Sequence, residues 1–211
     1  GDTPTVIAGK IKDAINGVLG SPVTAANTAG VVTATTKWKG ATSDELHILI
    51  DLGSNAAGVS YSQTASTSGA GTVDLADSFA LFGDTWYTTV INTYGTSKLA
   101  EFEQFNGVPD TDAPTGRFNG LIFKPFMAFF GSVVDDYESL AGITDDSDRV
   151  EQVTNVLCPA PASSGFSYEA AANMVALFAR IMQDTPHLDV NNKSYSDMPV
   201  PSSGLIGGMS D

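Results

Sequence analysis

From residue 72 onward, short runs of β-forming and aromatic residues alternate with stretches of helical apolar period, and this alternation constrains the fold most. Residues 72–82 carry Val73, Ala76, Phe79 and Ala80 at helical spacing, which turns them inward, and Gly83 closes the run. Residues 86–92 read as a strand, 97–105 as a helix burying Leu99 and Phe102, and 121–126 as a strand again. Ser132 is placed to cap a helix, with Asp135 three positions on and Val133, Tyr137 and Leu140 packing inward. Residues 152–158 read as a further strand. Ser167 then caps the longest helix, which turns Ala171, Met174, Phe178 and Ile181 to one side. Strands that alternate with helices return to the same sheet by right-handed crossovers. The expected class is therefore α/β, a mostly parallel or mixed sheet flanked by helices, with 86–92, 121–126 and 152–158 as neighbouring strands.

The composition changes near residue 70. Upstream the chain is rich in Thr, Ala, Ser and Gly, and residues 66–72 (STSGAGT) have the make-up of a flexible connector. A boundary there divides the chain into a smaller α+β N-terminal unit, 1–68, and an α/β core domain, 69–211. The first unit opens with an amphipathic helix in which Ile7, Ile11, Ala14, Ile15 and Val18 face inward, stopped by Gly20 and Ser21-Pro22. Strands are expected at 23–26, 31–37, 46–52 and 58–63. A turn at 27–30 makes a hairpin of the first two.

Charge and hydropathy exclude whole classes of partner. The net charge is −14, from 24 acids and 10 bases, with no basic stripe to follow a phosphate backbone. Direct nucleic-acid binding is not expected, and the charge should discourage non-specific association at low salt. The longest apolar stretch, 121–130, is interrupted by Lys124 and Pro125 and falls short of the roughly 18 residues a membrane span needs. Membrane insertion is not expected. The single cysteine, Cys158, allows no intrachain disulfide, which fits a reducing cytoplasm. The chain starts with Gly and ends in a Pro/Gly-rich loop, which reads as a fragment of a longer protein.

An α/β layer invites a search for catalytic chemistry. Gly69-Ala70-Gly71 ahead of a helix is a partial dinucleotide loop, but Asp74 stands where the third glycine belongs and would repel a pyrophosphate. No Gly-Lys-Ser/Thr follows, so a P-loop is excluded. Cys158 ends an expected strand, where a nucleophile sits in many α/β enzymes, and His187 is the candidate base. Pro159 follows directly, whereas a nucleophile elbow runs straight into a helix, so Cys158 reads as a small core hydrophobe. Asp146, Asp148 and Glu151 form an acidic cluster without the glycine and distant glutamate of a calcium loop. Asp135, Asp136 and Glu138 suit the start of a helix for dipole reasons alone. No catalytic, cofactor-binding or metal residue follows, and no cofactor is expected.

Four blocks nevertheless recur in an order that resembles the tail sheath protein of Mu-like contractile phages and related tail-like particles. The first runs from Lys39-Gly40 through Asp44-Glu45-Leu46-His47-Ile48. The second is Gly69 to Asp77 with Phe82-Gly83-Asp84-Thr85-Trp86-Tyr87. The third is Arg117-Phe118-Asn119-Gly120 with Lys124-Pro125-Phe126. The last runs from Cys158 to Ser163 through Glu169 to Ala172 and on to Met198-Pro199-Val200-Pro201. Thr185-Pro186-His187 departs from the Asp-Pro-Ala-like step usual near the end. Each block is a packing or turn signature, and order and spacing carry the resemblance. It implies a structural, non-enzymatic subunit of a contractile tail that polymerises in sixfold rings around an inner tube and contracts to drive it through a cell envelope. The implied partners are copies of itself, the inner tail tube protein, and baseplate and terminator proteins. The implied location is the virion tail sheath, assembled in the bacterial host cytoplasm. Relatives lend terminal strands to neighbours, and without them this chain is expected to be monomeric at micromolar concentration. An α/β hydrolase-like enzyme and a secreted glycan-binding module are the competing readings.

Overall fold

The computed structural model describes residues 1–46, 48–53, 58–110, 112–134, 142–143 and 154–187. The chain divides into two compact units, Gly1–Thr72 and Val73–Asp211, a few residues beyond the boundary read from composition.

The first unit is helix α1 (Pro4–Gly17) with a hairpin of β1 (Val23–Thr28) and β2 (Val31–Thr36). Thr3 caps α1, its hydroxyl accepting the Val6 N–H, and Pro4 occupies the first helical turn, where a missing N–H costs nothing. The hairpin is antiparallel with Thr28 opposite Val31, and Ala29 between them takes a left-handed φ of 49°. Asn16 ties helix to hairpin: its amide donates to the Ala25 carbonyl at 2.8 Å and accepts the Ala25 N–H at 2.8 Å. The inward side of α1 differs from the expected one. Ala8 is buried, Ile7 and Ile15 are half-buried, and Ile11, Ala14 and Val18 lie exposed. A two-stranded hairpin covers only one side of a helix, so the described part of this unit leaves the rest of the apolar stripe uncovered.

No strand forms in the described parts of 46–52 and 58–63. Side chains bridge the two stretches instead: Gln63 donates to the Ile48 carbonyl and Tyr61 to the Ile50 carbonyl, each at 3.1 Å. Leu49, within the expected strand 46–52, is exposed.

The second unit holds the expected parallel sheet, in the order β3 (Thr89–Ile91), β4 (Met127–Ser132), β5 (Asn155–Pro159), with Ile91 opposite Phe129 and Phe129 opposite Val156. The middle strand is not 121–126. The Asn119 carbonyl accepts the N–H groups of both Ile122 and Phe123, and Phe123 takes a φ of +37°. Pro125 has no N–H for a ladder, so a tight turn uses up the apolar run and pairing starts after it. β3 is likewise short because Trp86 and Tyr87 stay exposed beside this turn.

Around the sheet run α2 (Ala76–Ala80), α3 (Leu99–Asn106) and α4 (Ser167–Asp184). α2 is shorter than the expected 72–82, because the Asp74 carboxylate accepts the Ala76 N–H and starts the helix late. Leu75 is consequently buried and Val73 exposed. α3 buries Leu99 and Phe102 as its period indicates. α4 starts at Ser167, behind Phe166, whose N–H is accepted by the Glu169 carboxylate at 3.0 Å. Ser132 does not open a helix where it stands. It ends β4, its hydroxyl accepting the Val134 N–H at 3.3 Å, and the helix expected beyond it falls largely outside the described residues.

The main core lies between α2, α3 and one face of the sheet, around Leu75, Leu99, Phe102, Phe126, Ala128 and Phe130. It is an aromatic core: Phe79 stacks on Phe105 at 4.3 Å, and Phe102 meets Phe130 edge-on at 5.3 Å. On the opposite face Phe129, Cys158 and Ala160 meet Ala170 and Ala171 of α4. That contact is close because β4 has Gly131 where a Cβ would come within 1.5 Å of the Ser167 carbonyl oxygen.

Candidate functional site

Of the residues with chemical potential, those that are described have clear surroundings in this fold. Cys158 is fully buried among Phe129 and the α4 alanines, and burial pushes its thiol up to about 12. The thiolate a nucleophile needs is therefore scarce near neutral pH. His187 is exposed, and no contact between it and Cys158 occurs among the described residues. Asp135, Asp136, Glu138, Asp146, Asp148 and Glu151 lie outside the described residues. Among the described residues no group of three or more His, Cys, Asp or Glu side chains is gathered as for a metal ion, and no helix is long and apolar enough to cross a membrane.

The Gly69-Ala70-Gly71 loop is filled by protein. The Gly69 N–H donates to the Asp44 carboxylate at 2.6 Å, and the Gly71 carbonyl accepts the Ala41 N–H at 3.1 Å. A Cβ on Gly69 would stand 2.3 Å from the Gly40 oxygen. Glycine is required there so that one backbone can approach another. A carboxylate already takes an N–H that a phosphate would need.

A second clasp joins 84–86 to 117–125, across an interval of more than 30 residues. Arg117 is its centre. Arg117 as a residue is 5% exposed, its guanidinium donating from Nε to the Lys124 carbonyl at 2.8 Å and from Nη2 to the Thr85 carbonyl at 3.0 Å. It also lies over the rings of Phe82 and Phe105, 5.5 Å from each centroid. Two parallel N–H donors and two π faces suit the flat guanidinium and would not suit an ammonium. Around it the Trp86 indole donates to the Pro125 carbonyl at 2.7 Å, and the Lys124 ammonium donates to the Asp84 carbonyl at 2.6 Å.

Buried polar side chains brace the same region from below. Asn106 donates to the Phe126 carbonyl at 2.8 Å and accepts the Phe126 N–H at 3.0 Å, so it stands in for a neighbouring strand at the entry to β4. Glu103 accepts a hydrogen bond from the Asn155 amide at 2.6 Å at the head of β5. Sequence reasoning passed over Asn106 and Glu103, and treated Arg117 only as part of a turn. The signal available was a lone arginine between two glycines in a chain with few bases, which does not say what it touches.

Both clasps pair stretches that are distant in sequence, with carbonyls, N–H groups and rings as partners. They hold loops in register and present no activated nucleophile or base. Comparison with protein-family models finds no match for the chain, and comparison with curated proteins finds none either.

Proposed function

We propose that the chain is a structural subunit of a contractile tail sheath, with no catalytic role. The observation that carries the reading is the pairing of the resemblance blocks. Gly40 and Asp44 of the first block meet Gly69 and Gly71 of the second. Asp84, Thr85 and Trp86 of the second meet Arg117, Lys124 and Pro125 of the third. Residues recurring in the order of a sheath protein are thus those that clasp loops together. A subunit that must move as a rigid body between two lattice states needs its loops held in this way. The partners on this reading are copies of the chain, an inner tube protein, and baseplate and terminator proteins. The setting is a virion tail assembled in a bacterial cytoplasm.

Electron microscopy of the protein expressed from its whole gene, with and without a co-expressed tube protein, tests the reading. Hollow tubes or stacked rings are the expected result. Dispersed small particles under both conditions would sink it.

A further inference from the structure

We infer that Asn119 is a site of spontaneous deamidation, a slow conversion to aspartate and isoaspartate that opens the turn leading into β4. The sequence has three Asn-Gly steps, Asn16-Gly17, Asn106-Gly107 and Asn119-Gly120. Such steps are labile because glycine puts no side chain in the way when its backbone nitrogen approaches the preceding carboxamide. The fold closes the first two. Asn16 gives both ends of its carboxamide to Ala25, and Gly17 belongs to α1, whose helical backbone fixes the dihedrals that the attack must change. Asn106 is 1% exposed and gives both ends of its carboxamide to Phe126, while the Gly107 N–H is held by the Glu103 carbonyl at 2.7 Å.

Asn119-Gly120 has none of these restraints. Both residues are exposed, and among the described residues neither the Asn119 amide nitrogen nor the Gly120 N–H has a partner. Asn119 Oδ1 accepts the Leu121 N–H at 3.1 Å, which folds the carboxamide back around the Gly120 peptide. The Gly120 nitrogen, its proton given up to a base in solvent, attacks Asn119 Cγ. The Cγ–Nδ2 bond breaks, and Nδ2 takes a proton from water and leaves as ammonia. Water then opens the cyclic imide at either carbonyl, giving aspartate or isoaspartate, with nothing oxidised or reduced. In isoaspartate the main chain runs through Cβ and Cγ, and the former main-chain carbonyl becomes a pendant carboxylate. In the unmodified chain that carbonyl accepts the N–H groups of Ile122 and Phe123. Its loss releases the turn that the Lys124 N–H ties back to the Arg117 carbonyl at 2.8 Å. Each of these contacts lies within one compact unit. The inference stands whether or not the chain is a sheath subunit.

Peptide mapping by mass spectrometry of the whole chain, held in mildly alkaline buffer, tests it at all three steps. Asn119 should convert at least about tenfold faster than Asn16 and Asn106, which react only when their surroundings open. In urea the three rates should draw together. Gly120→Ala adds a Cβ that meets nothing within 4 Å, so by circular dichroism the variant should fold as the wild type does, and it should lose most of the reaction at Asn119. Amide exchange at Ile122 and Phe123 should quicken in aged wild type and not in the aged variant. An Asn119 that stays intact, equal rates at the three steps in the folded chain, or rates in urea as far apart as in the folded chain would overturn the inference. So would a Gly120→Ala variant that deamidates as fast as the wild type. Unchanged exchange at Ile122 and Phe123 in protein that carries isoaspartate would overturn the opening of the turn.

Discussion

Arg117 shows how much one side chain holds. Its guanidinium donates to two carbonyls on different loops and lies against two rings, all within a buried pocket. Arg117→Lys keeps the charge but cannot reproduce the fork, and should destabilise the protein by about 1–3 kcal/mol in urea unfolding. A loss below about 0.5 kcal/mol would mean the pocket is held by something else. Cys158 makes the opposite point, because nothing there depends on its reactivity. Cys158→Ala should cost only about 1 kcal/mol at neutral pH. The sign of its pH dependence follows from burial. The folded thiol is raised from 9.0 to about 12, so folding holds the proton that the unfolded chain loses. Its contribution is fully present below pH 9.0 and falls by about 1.4 kcal/mol per pH unit as pH rises toward 12. The stability difference between wild type and Cys158→Ala should shrink and then change sign across that window. A constant difference would show that the thiol titrates alike in both states.

At the scale of elements, β4 organises the second unit, and two contacts determine where it lies. Asn106 receives its first residues through a pair of hydrogen bonds to Phe126. Asn106→Ala leaves that buried N–H and carbonyl unpaired, at a cost of about 2–4 kcal/mol. Hydrogen exchange at Phe126 should quicken well before exchange in α4 does, and equal protection in variant and wild type would contradict this role. Farther along, Gly131 admits the start of α4 against the sheet. Its Cβ in Gly131→Ala would overlap the Ser167 carbonyl at 1.5 Å, so helix and strand must separate. A loss of about 3 kcal/mol or more is expected in denaturant unfolding. Should the Gly131→Ala variant prove as stable as the wild type, the two elements are not so close. The elements shorter than their sequence pattern, α2 and β3, are those whose ends are occupied by such local contacts: Asp74 at one, the Trp86 indole at the other.

For the whole molecule, burial is uneven. The second unit has an aromatic core on one face of its sheet and a small-residue contact on the other, while the first buries two alanines among its described apolar residues. Unfolding should therefore not be two-state. Amides of α1 and the hairpin should lose protection at lower denaturant than those of β4 and α4. One shared transition for all of them would show that the units are coupled more tightly than their separate cores imply.

Period and turn chemistry alone determined the class of the fold. Alternating helical and β-type runs required a parallel sheet with crossover helices, and three strands in the expected order form one. They determined the hairpin as well, and that Leu99, Phe102, Ala171 and Ile181 lie inside. They did not determine which part of an apolar run pairs. Residues 121–126 and 127–132 are equally apolar neighbours, and only the turn closed on Asn119, with Asn106 waiting beyond Pro125, decides that the second is the strand. The inward side of α1 was undecided for a related reason. A helical stripe records that a helix has apolar neighbours but not which neighbour the chain itself supplies, and here the hairpin reaches only Ala8 and its surroundings. The clasp on Arg117 belongs wholly to tertiary structure. Its partners are backbone carbonyls, which every residue has, so no residue type on the other loop could announce it.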